Sequence, residues 1–291
     1  MLSILIPTYN HVCLGLVREV VGQASQAGYD YEVIVGDDGS TNLRMVAENS
    51  KIDDIDGCRL IVTGKNIGIA RMRNMLMNES KGDYMLFLDS DVMPASKDFL
   101  QKYVDATKSK TDVVVGGIMY RQDGSISPLR LKYGIEREQS TAAQRKLRGY
   151  SFISSAFMLS RKVAEAIRFD ESFDRYGHED TLFGVSLKLA GMQITHIDAP
   201  VFHDNTDTSE EFVEKTRVAI QSLIMHYDEL RDYSRLAQIY EKTKKLHLTH
   251  VIGMVYKYFR RQMEKNLLSA KPSLRILDMY KLSYMCRINR L

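Results

Sequence analysis

Short, continuous apolar runs alternate with helix-like segments along the first half of this chain. Runs rich in valine, isoleucine and aromatic residues are typical of strands buried on both faces. Five such runs occur: SILIPTY, YEVIVGDD, RLIVTG, YMLFLD and DVVVGGIMY. The segments between them predict helices at residues 14–26, 41–50, 69–80 and 97–110. Strands and helices alternating at these lengths predict βαβ units and a mostly parallel sheet.

Beyond residue 208 the pattern predicts helices alone, and Thr208 or Ser209 can cap the first of them. Further on, the segment HVIGMVYKYFRRQMEKNLL carries apolar residues at four-residue steps beside lysines and arginines. This stripe comprises Val251, Val255, Phe259, Met263 and Leu267. Three interpretations stay open: packing against its own domain, contact with an anionic membrane surface, or a dimer contact.

Composition and charge narrow the class of protein. The 291 residues, 44% of them hydrophobic and 26% charged, suffice for one large domain with an appendage. No apolar run approaches the roughly 18 residues of a membrane-spanning helix, and MLSILIPTYNH lacks the features of a secretory signal. We therefore expect a cytoplasmic protein. Residues 242–291 carry a net charge of +10 and residues 1–241 a net −7, so the C-terminal region is electrostatically distinct.

Polar and glycine-bearing turns follow four consecutive predicted strands. Their sequences are PTYN, GDDGS, GKNIG and DSD. Each turn alone is explained by turn chemistry, because Asp, Asn, Gly, Ser and Pro dominate connections for conformational reasons. Together they indicate a site, since parallel sheets bind ligands at the carboxyl ends of their strands.

Two acids, Asp89 and Asp91, end the apolar run YMLFL. The same spacing at Asp54 and Asp56 lies in a polar stretch, so the spacing alone proves nothing. On an extended segment, side chains two residues apart point the same way. Converging carboxylates repel each other unless a cation neutralises them, and a divalent metal that prefers oxygen ligands is the natural partner.

Five motifs resemble, in their order along the chain, those of a family 2 glycosyltransferase with the GT-A fold: IPTYN, VGDDGS, KNIGIARMRN, FLDSD and GHEDTLF. The resemblance covers about residues 1–205. It implies an α/β nucleotide-sugar-binding fold with a mostly parallel, Rossmann-like central sheet. The implied catalytic domain spans residues 1–208, with a nucleotide-binding half at about 1–93 and an acceptor half at about 94–208, and a basic helical region follows at 209–291.

The resemblance implies a donor site built from the strand ends. Thr8 and Tyr9 would line the base. Asp38 would form a hydrogen bond with the uracil or ribose, and Asp37 would brace the turn. Arg73 would meet the nucleotide phosphate or sugar, whereas Arg71 would lie at the surface. The full predicted set that binds the nucleotide sugar is Pro7, Thr8, Tyr9, Asp38, Asn66, Gly68, Arg73, Asp89 and Ser90.

The resemblance also implies a metal and a general base. Asp91, with Asp89 and His203, would hold Mn²⁺ or Mg²⁺ against the diphosphate, and the imidazole would favour Mn²⁺. His196 is interpreted as structural. Asp180, beside Glu179 in the ED motif, would deprotonate the acceptor hydroxyl in an inverting displacement. The acids also suit the dipole of a helix start, which is their purely structural explanation.

The acceptor side is less defined. Gly116 and Gly117 could let the backbone approach the donor sugar or could form a bulge. Residues 121–148 are interpreted as a mobile acceptor-side loop. We expect a UDP-sugar donor and a saccharide or lipid-linked acceptor in polysaccharide or glycoconjugate biosynthesis, with the C-terminal helices at the inner membrane face or in a dimer contact, and no nucleic-acid partner. Two alternatives remain: a non-catalytic sugar-nucleotide-binding protein and a phosphatase of the haloacid dehalogenase type.

Overall fold

A computed structural model describes residues 1–148, 152–173, 176–204 and 207–289 of the chain. The chain forms two compact units. Unit 1 comprises Met1–Tyr120, Gln139–Asp174 and Phe183–Asn205, and unit 2 comprises Arg121–Glu138, Arg175–Leu182 and Thr206–Leu291. Two stretches of the predicted acceptor half therefore group with the C-terminal helices. The limit of the catalytic domain at residue 208 stays a prediction.

The strands and most of the α/β alternation belong to unit 1. The strands are β1 (Leu2–Thr8), β2 (Tyr31–Asp37), β3 (Cys58–Val62), β4 (Tyr84–Leu88), β5 (Val92–Pro94), β6 (Val113–Val115), β7 (Ile118–Met119), β8 (Ala156–Ser160), β9 (Ile194–His196) and β10 (Val201–His203). The first four helices are α1 (Leu14–Ala27), α2 (Leu43–Asn49), α3 (Ile69–Glu79) and α4 (Phe99–Thr107). All four lie at the positions predicted from the sequence.

Seven strands form the central sheet in the order β3-β2-β1-β4-β8-β6-β9. Every pairing in it is parallel except the two that β8 makes with β4 and β6. The strands β5, β10 and β7 form a second, smaller sheet. The predicted α/β class with a mostly parallel central sheet is thus confirmed.

The apolar runs are continuous because both faces of the central sheet are covered. Successive strand residues point to opposite faces. Ile4 and Leu86 pack on one face with residues of α1 and α4, whereas Leu5 and Phe87 pack on the other with residues of α3. Each such side chain, fully removed from water, contributes about 1.5–3 kcal/mol of hydrophobic stabilisation.

The run DVVVGGIMY forms two strands in two different sheets, not one strand. The change occurs at its glycines: a Cβ on Gly116 would overlap the carbonyl oxygen of Ala199, and Gly117 has a φ of +94°. A Cβ on Gly117 would overlap the guanidinium of Arg145. These glycines therefore serve close internal packing, which explains them without a bound sugar.

The predicted loop at residues 121–148 is mostly helical. It contains α5 (Pro128–Tyr133), a π-helix at Gly134–Glu138 and α6 (Ala142–Leu147). Arg145 of α6 is buried, and its Nη2 donates to the carbonyl oxygens of Gly116 and Ile197 at 3.2 and 2.8 Å. Its Nε donates to Nδ1 of His196 at 3.4 Å, in agreement with a structural histidine. The loop interpretation was wrong because a buried arginine satisfied by carbonyls has the same sequence signature as a surface one.

The remaining helices are α7 (Arg161–Ala166), α8 (Glu179–Leu189), α9 (Ser209–Met225), α10 (Tyr227–Leu230), α11 (Arg235–Lys245), α12 (Thr249–Leu267) and α13 (Leu274–Ile288). Of these, α9 to α13 belong to unit 2. Thr208 caps α9 in a capping box with Glu211, as the sequence predicts. None of the helices in the described part of the chain is long and apolar enough to cross a membrane.

The apolar stripe of α12 does not lie on one face. Met263 and Leu267 are buried, but Val251 and Phe259 are exposed. A four-residue step advances about 40° around a helix, so five such positions spread over about 160°. The inner face of α12 instead carries Gly253, together with Tyr256, Met263 and Leu267.

Candidate active site

Three parallel strands of unit 1 end level with one another at the edge predicted to carry the site. Thr8 of β1 lies opposite Asp37 of β2, and Asp37 lies opposite Val62 of β3. Pro7 and Thr8 are buried, whereas the Tyr9 side chain is 48% exposed. An accessible aromatic ring at this edge offers a stacking face to a nucleobase.

Both carboxylates of the DD turn brace the polypeptide. Oδ1 of Asp37 accepts a hydrogen bond from the backbone N–H of Ser40 at 2.8 Å, which is the bracing contact predicted for it. The two oxygens of Asp38 accept hydrogen bonds from the backbone N–H groups of Ile67 and Gly68 at 2.6 and 3.0 Å. The amides at the start of α3 therefore bind a carboxylate of this chain. Contact of Asp38 with uracil or ribose stays a prediction.

Gly39 lets this turn lie against the loop that follows β3. Its φ is +69°, and a Cβ there would lie 2.5 Å from the carbonyl carbon of Lys65 and 2.8 Å from the backbone nitrogen of Asn66. Only glycine accepts this combination without strain. Asn66 is exposed, and Gly68 has a φ of +90° where α3 begins. The donor-binding roles of these two residues stay predictions.

Asp38→Asn is expected to destabilise the protein by about 1–3 kcal/mol, because the amide nitrogen of asparagine would face a backbone N–H donor and leave it unsatisfied. The free energy of unfolding in urea measures this loss. Asp56→Asn, at an exposed position outside the turn, is the matched control and should leave stability within about 0.5 kcal/mol. Equal stability of the two variants would contradict the bracing role of Asp38.

Arg73 and Asp89 form an ion pair in unit 1. Nη2 of Arg73 lies 3.0 Å from Oδ1 of Asp89, and the arginine side chain is 3% exposed and lies over the ring of Phe169. Burial raises the pKa of the Asp89 carboxyl above its usual value, the charge of Arg73 opposes that rise, and the nearby Asp91 adds to it. A buried arginine in this position orients the Asp89 carboxylate. Donor contacts of either residue stay predictions.

Asn74 is a positioning residue that sequence reasoning missed. Its side-chain amide donates to the carbonyl oxygen of Phe169 and to Oε1 of Glu171, both at 2.9 Å, and its Oδ1 accepts from the backbone N–H of Phe169 at 3.0 Å. The only signal in the sequence is its place directly after Arg73. Arg71 is exposed and lies 3.6 Å from Glu171, which confirms it as a surface residue.

His203 lies beside Asp91, as predicted. The antiparallel pairing of β5 with β10 puts Val92 opposite His203, and the backbone N–H of Asp204 donates to the carbonyl oxygen of Asp91 at 2.9 Å. Nε2 of His203 consequently lies 3.5 Å from Oδ2 of Asp91. The histidine is buried, and its Nδ1 has no hydrogen-bond partner among the described residues. Ser90, half-buried, precedes Asp91.

This pair suits a metal ion that is shared with a bound ligand. Two ligand atoms 3.5 Å apart can contact one ion, since each would lie about 2.0–2.2 Å from it. No group of three or more His, Cys, Asp and Glu side chains within the described ranges is arranged to hold a metal. Mg²⁺ sites commonly use one or two carboxylates together with substrate phosphates and water. Asp91 and His203 fit such an open site. Asp89, the third predicted ligand, forms an ion pair with Arg73, and its contact with a metal stays a prediction.

The predicted base lies in a segment of unit 2 with unusual backbone geometry. Gly177 and His178, directly before α8, have φ values of +102° and +74°. Positive φ is uncommon outside glycine, although histidine adopts it more often than most residues. Glu179 is buried, whereas Asp180 is half-buried and its Oδ1 accepts from the backbone N–H of Thr181 at 2.6 Å. Burial lowers the pKa of the His178 imidazole, and the charge of Asp180 opposes this shift.

The sequence profile described as Glycosyl transferase family 2 matches residues 3–168. The chain belongs to this family. The match covers β1 to α7 and with them most of the strand ends described above, although it ends before Asp180 and His203. It confirms the resemblance that the motifs indicated. It also confirms the predicted enzyme class, which is glycosyltransferase. The match also argues against the phosphatase alternative, because phosphatases of the haloacid dehalogenase type belong to a different family.

Individual relatives agree with this assignment of the family 2 glycosyltransferase. An uncharacterized glycosyltransferase of Haemophilus influenzae is 35% identical over 105 residues, which are 36% of this chain and 41% of that protein. The chain thus covers less than half the length of this relative.

Two solved structures share the fold of this chain. The mannosyltransferase PcManGT of Pyrobaculum calidifontis, solved with GDP-Man and Mn²⁺, has a TM-score of 0.58 at 13% identity, with 100% of this chain and 88% of that one covered. TarS residues 1–349 of S. aureus, solved with UDP-GlcNAc, has a TM-score of 0.51 at 17% identity, with 98% and 90% covered.

Proposed function

We propose that this protein transfers a sugar from a UDP-sugar to a hydroxyl group of a saccharide or lipid-linked acceptor, with inversion and with a divalent metal, in polysaccharide or glycoconjugate biosynthesis. The observation that carries the proposal is the pair formed by Asp91 and His203 at the sheet edge, with Nε2 and Oδ2 3.5 Å apart. A family 2 glycosyltransferase needs a donor site at the carboxyl ends of its strands, and this pair lies there.

The donor side uses residues of unit 1. Tyr9 would stack on the base, and Asp38 would hold the loop before α3 in place for the nucleotide. Arg73 would keep the Asp89 carboxylate oriented toward the ribose. Asp91 and His203 would hold Mn²⁺ or Mg²⁺, which supplies positive charge to the diphosphate as it leaves. The choice of metal is supported by the structure of the mannosyltransferase PcManGT, which was solved with Mn²⁺.

The acceptor side uses the ED motif. Asp180 would accept the proton of the acceptor hydroxyl. At the same time the hydroxyl oxygen would bond to the anomeric carbon, and the bond from that carbon to the diphosphate oxygen would break. Attack opposite the leaving group inverts the configuration at that carbon. Glu179, which is buried, would support the segment that carries Asp180. A carboxylate is a strong enough base for this role, because the proton is transferred while the new bond forms and no free alkoxide has to be generated.

Calorimetric titration tests the donor half of this proposal. UDP is titrated into the protein in the presence of Mn²⁺, of Mg²⁺, or of a chelator, and GDP is the matched nucleotide control. We expect UDP to bind in the presence of metal and at least about tenfold more weakly with the chelator. Equal binding with the chelator would contradict the metal site, and tighter binding of GDP would contradict the choice of donor nucleotide.

Slow hydrolysis of nucleotide sugars then separates an enzyme from a binding protein. A panel of UDP-sugars is incubated with the protein and Mn²⁺, and released UDP is measured. Turnover of one donor identifies the sugar and shows catalysis. Binding of UDP without turnover of any donor or transfer to any acceptor would favour the non-catalytic alternative.

A further inference from the structure

A cationic surface covers the end of α11 and the outer side of α12. We call residues 242–262 the basic corner. They contain six lysines and arginines and no aspartate or glutamate: Lys242, Lys244, Lys245, Lys257, Arg260 and Arg261. Two histidines, His247 and His250, lie in the same stretch. The whole corner belongs to unit 2 and contains none of the residues assigned to donor, metal or proton transfer.

Large apolar side chains are exposed in the same corner. Six of them, each between 37% and 66% exposed, occur within 14 consecutive residues: Leu246, Leu248, Val251, Met254, Tyr258 and Phe259. Single exposed apolar residues need no explanation, but a concentration of them rimmed by polar residues marks an interaction surface. Here the rim is cationic.

These side chains are not the packing face of α12. Its inner face is occupied: a Cβ on Gly253 would lie 3.2 Å from the carbonyl oxygen of Cys286, and the Tyr256 ring packs against the rings of Tyr280 and Tyr284. At about 100° per residue, Val251, Met254 and Tyr258 fall within about 60° of one another on the opposite side. The outer face is therefore a second apolar face with no partner among the described residues.

The charged side chains of α12 are also distributed unequally between its inner and outer sides. Its single acid, Glu264, is engaged on the inner side by Arg217, by Arg260 and by the hydroxyl of Tyr280. Lys257 and Arg261 form no ion pair with any residue that the structure describes. Cations without counter-ions beside exposed apolar groups are complementary to a lipid surface, in which phosphate groups lie above hydrocarbon chains.

We propose that the basic corner docks on an anionic phospholipid bilayer. The apolar side chains would enter the boundary between headgroups and acyl chains, and the lysines and arginines would meet lipid phosphates. A second copy of the chain fits less well, because a two-fold interface would bring the same cations face to face. Nucleic acid would use the cations but would leave Leu246, Leu248 and Val251 without a role.

Vesicle flotation tests the proposal, with the full chain and without donor or acceptor, so that its result is independent of glycosyl transfer. Vesicles of phosphatidylcholine alone are compared with vesicles containing about 30% phosphatidylglycerol. We expect binding to the anionic vesicles, weakened by added salt, and little binding to the neutral ones. Absence of binding to anionic vesicles would overturn the proposal.

Two triple variants assign the binding to the corner. One neutralises cations, Lys244→Gln, Lys257→Gln and Arg261→Gln, and is expected to weaken vesicle binding at least about tenfold. Its control loses the same charge at exposed lysines of unit 1: Lys81→Gln, Lys108→Gln and Lys162→Gln. The other removes apolar groups, Leu246→Ser, Val251→Ser and Tyr258→Ser, with a matched control at exposed leucines: Leu43→Ser, Leu147→Ser and Leu189→Ser.

The variants change exposed side chains, and unchanged thermal unfolding midpoints should accompany the loss of binding. Equal loss in a variant and its control would overturn the proposal, because the binding would then follow net charge or general hydrophobicity. Light scattering that shows a dimer lost in the apolar variant, without vesicle binding by the wild type, would assign the corner to self-association instead. Binding of RNA or DNA, lost in the cationic variant while vesicles are not bound, would assign it to nucleic acid.

Discussion

Asp91→Ala is expected to abolish metal-dependent UDP binding and to lower sugar transfer by at least about 100-fold. The carboxylate of Asp91 is one of the two side chains proposed to hold the ion, and its loss would leave the imidazole of His203 alone. A divalent ion that compensates the leaving diphosphate is worth several kcal/mol, and each 1.36 kcal/mol is about a factor of ten in rate. Titration of UDP with Mn²⁺ and a transfer assay measure the two effects.

The chain contains a matched control for Asp91→Ala. Asp54 and Asp56 have the same spacing as Asp89 and Asp91 but lie in the exposed stretch after α2, so Asp54→Ala should leave both binding and transfer unchanged. His203→Ala should raise the Mn²⁺ concentration needed for UDP binding by about tenfold. Metal-dependent UDP binding that persists in Asp91→Ala would show that the ion is held elsewhere.

Asp180→Asn is expected to lower transfer by about 10²- to 10⁴-fold while UDP binding in the presence of Mn²⁺ stays within about twofold of the wild type. Asparagine keeps the shape of the side chain and can still accept the hydrogen bond from the backbone N–H of Thr181. It cannot accept a proton from the acceptor hydroxyl at neutral pH. A fall in kcat with unchanged nucleotide binding is therefore the signature of a lost base.

The controls for Asp180→Asn lie in the same unit. Asp228→Asn changes an exposed carboxylate of α10 and should leave transfer unaffected. Glu179→Gln changes the neighbouring buried carboxylate. Transfer that survives in Asp180→Asn but disappears in Glu179→Gln, with folding intact, would move the role of base to Glu179. Transfer that survives in both would remove the ED motif from the mechanism.

Local pattern was sufficient for most of the fold of unit 1. The five apolar runs alternate between the two faces of the sheet at every second residue, and that alternation depends only on the geometry of a strand. Thr208 before α9 acts through hydrogen bonds with Glu211, three residues further along the chain, so this cap can be recognised in the sequence. Where a residue acts over a distance, as Arg145 does, the same local pattern misled the interpretation.

The residues that follow the strands could be identified from the sequence, but their arrangement in space could not. The sequence indicated Asp91 and His203 as partners only through resemblance to the family. Their contact depends on the antiparallel register of β5 with β10, in which Val92 faces His203. Strand register between segments more than 100 residues apart is set by packing of the whole unit, and no local motif encodes it.

The sequence by itself determined the α/β class, the order and position of the early strands and helices, the family, and the identity of the residues at the strand ends. Only the tertiary structure decided that Asp38 binds the amides before α3, that Arg73 is buried against Asp89, and that the outer face of α12 is apolar and cationic at once. The reason is physical. Periodicity and capping are short-range properties of the chain, whereas burial, ion pairing and the exposed face of a helix depend on which distant segments pack against it.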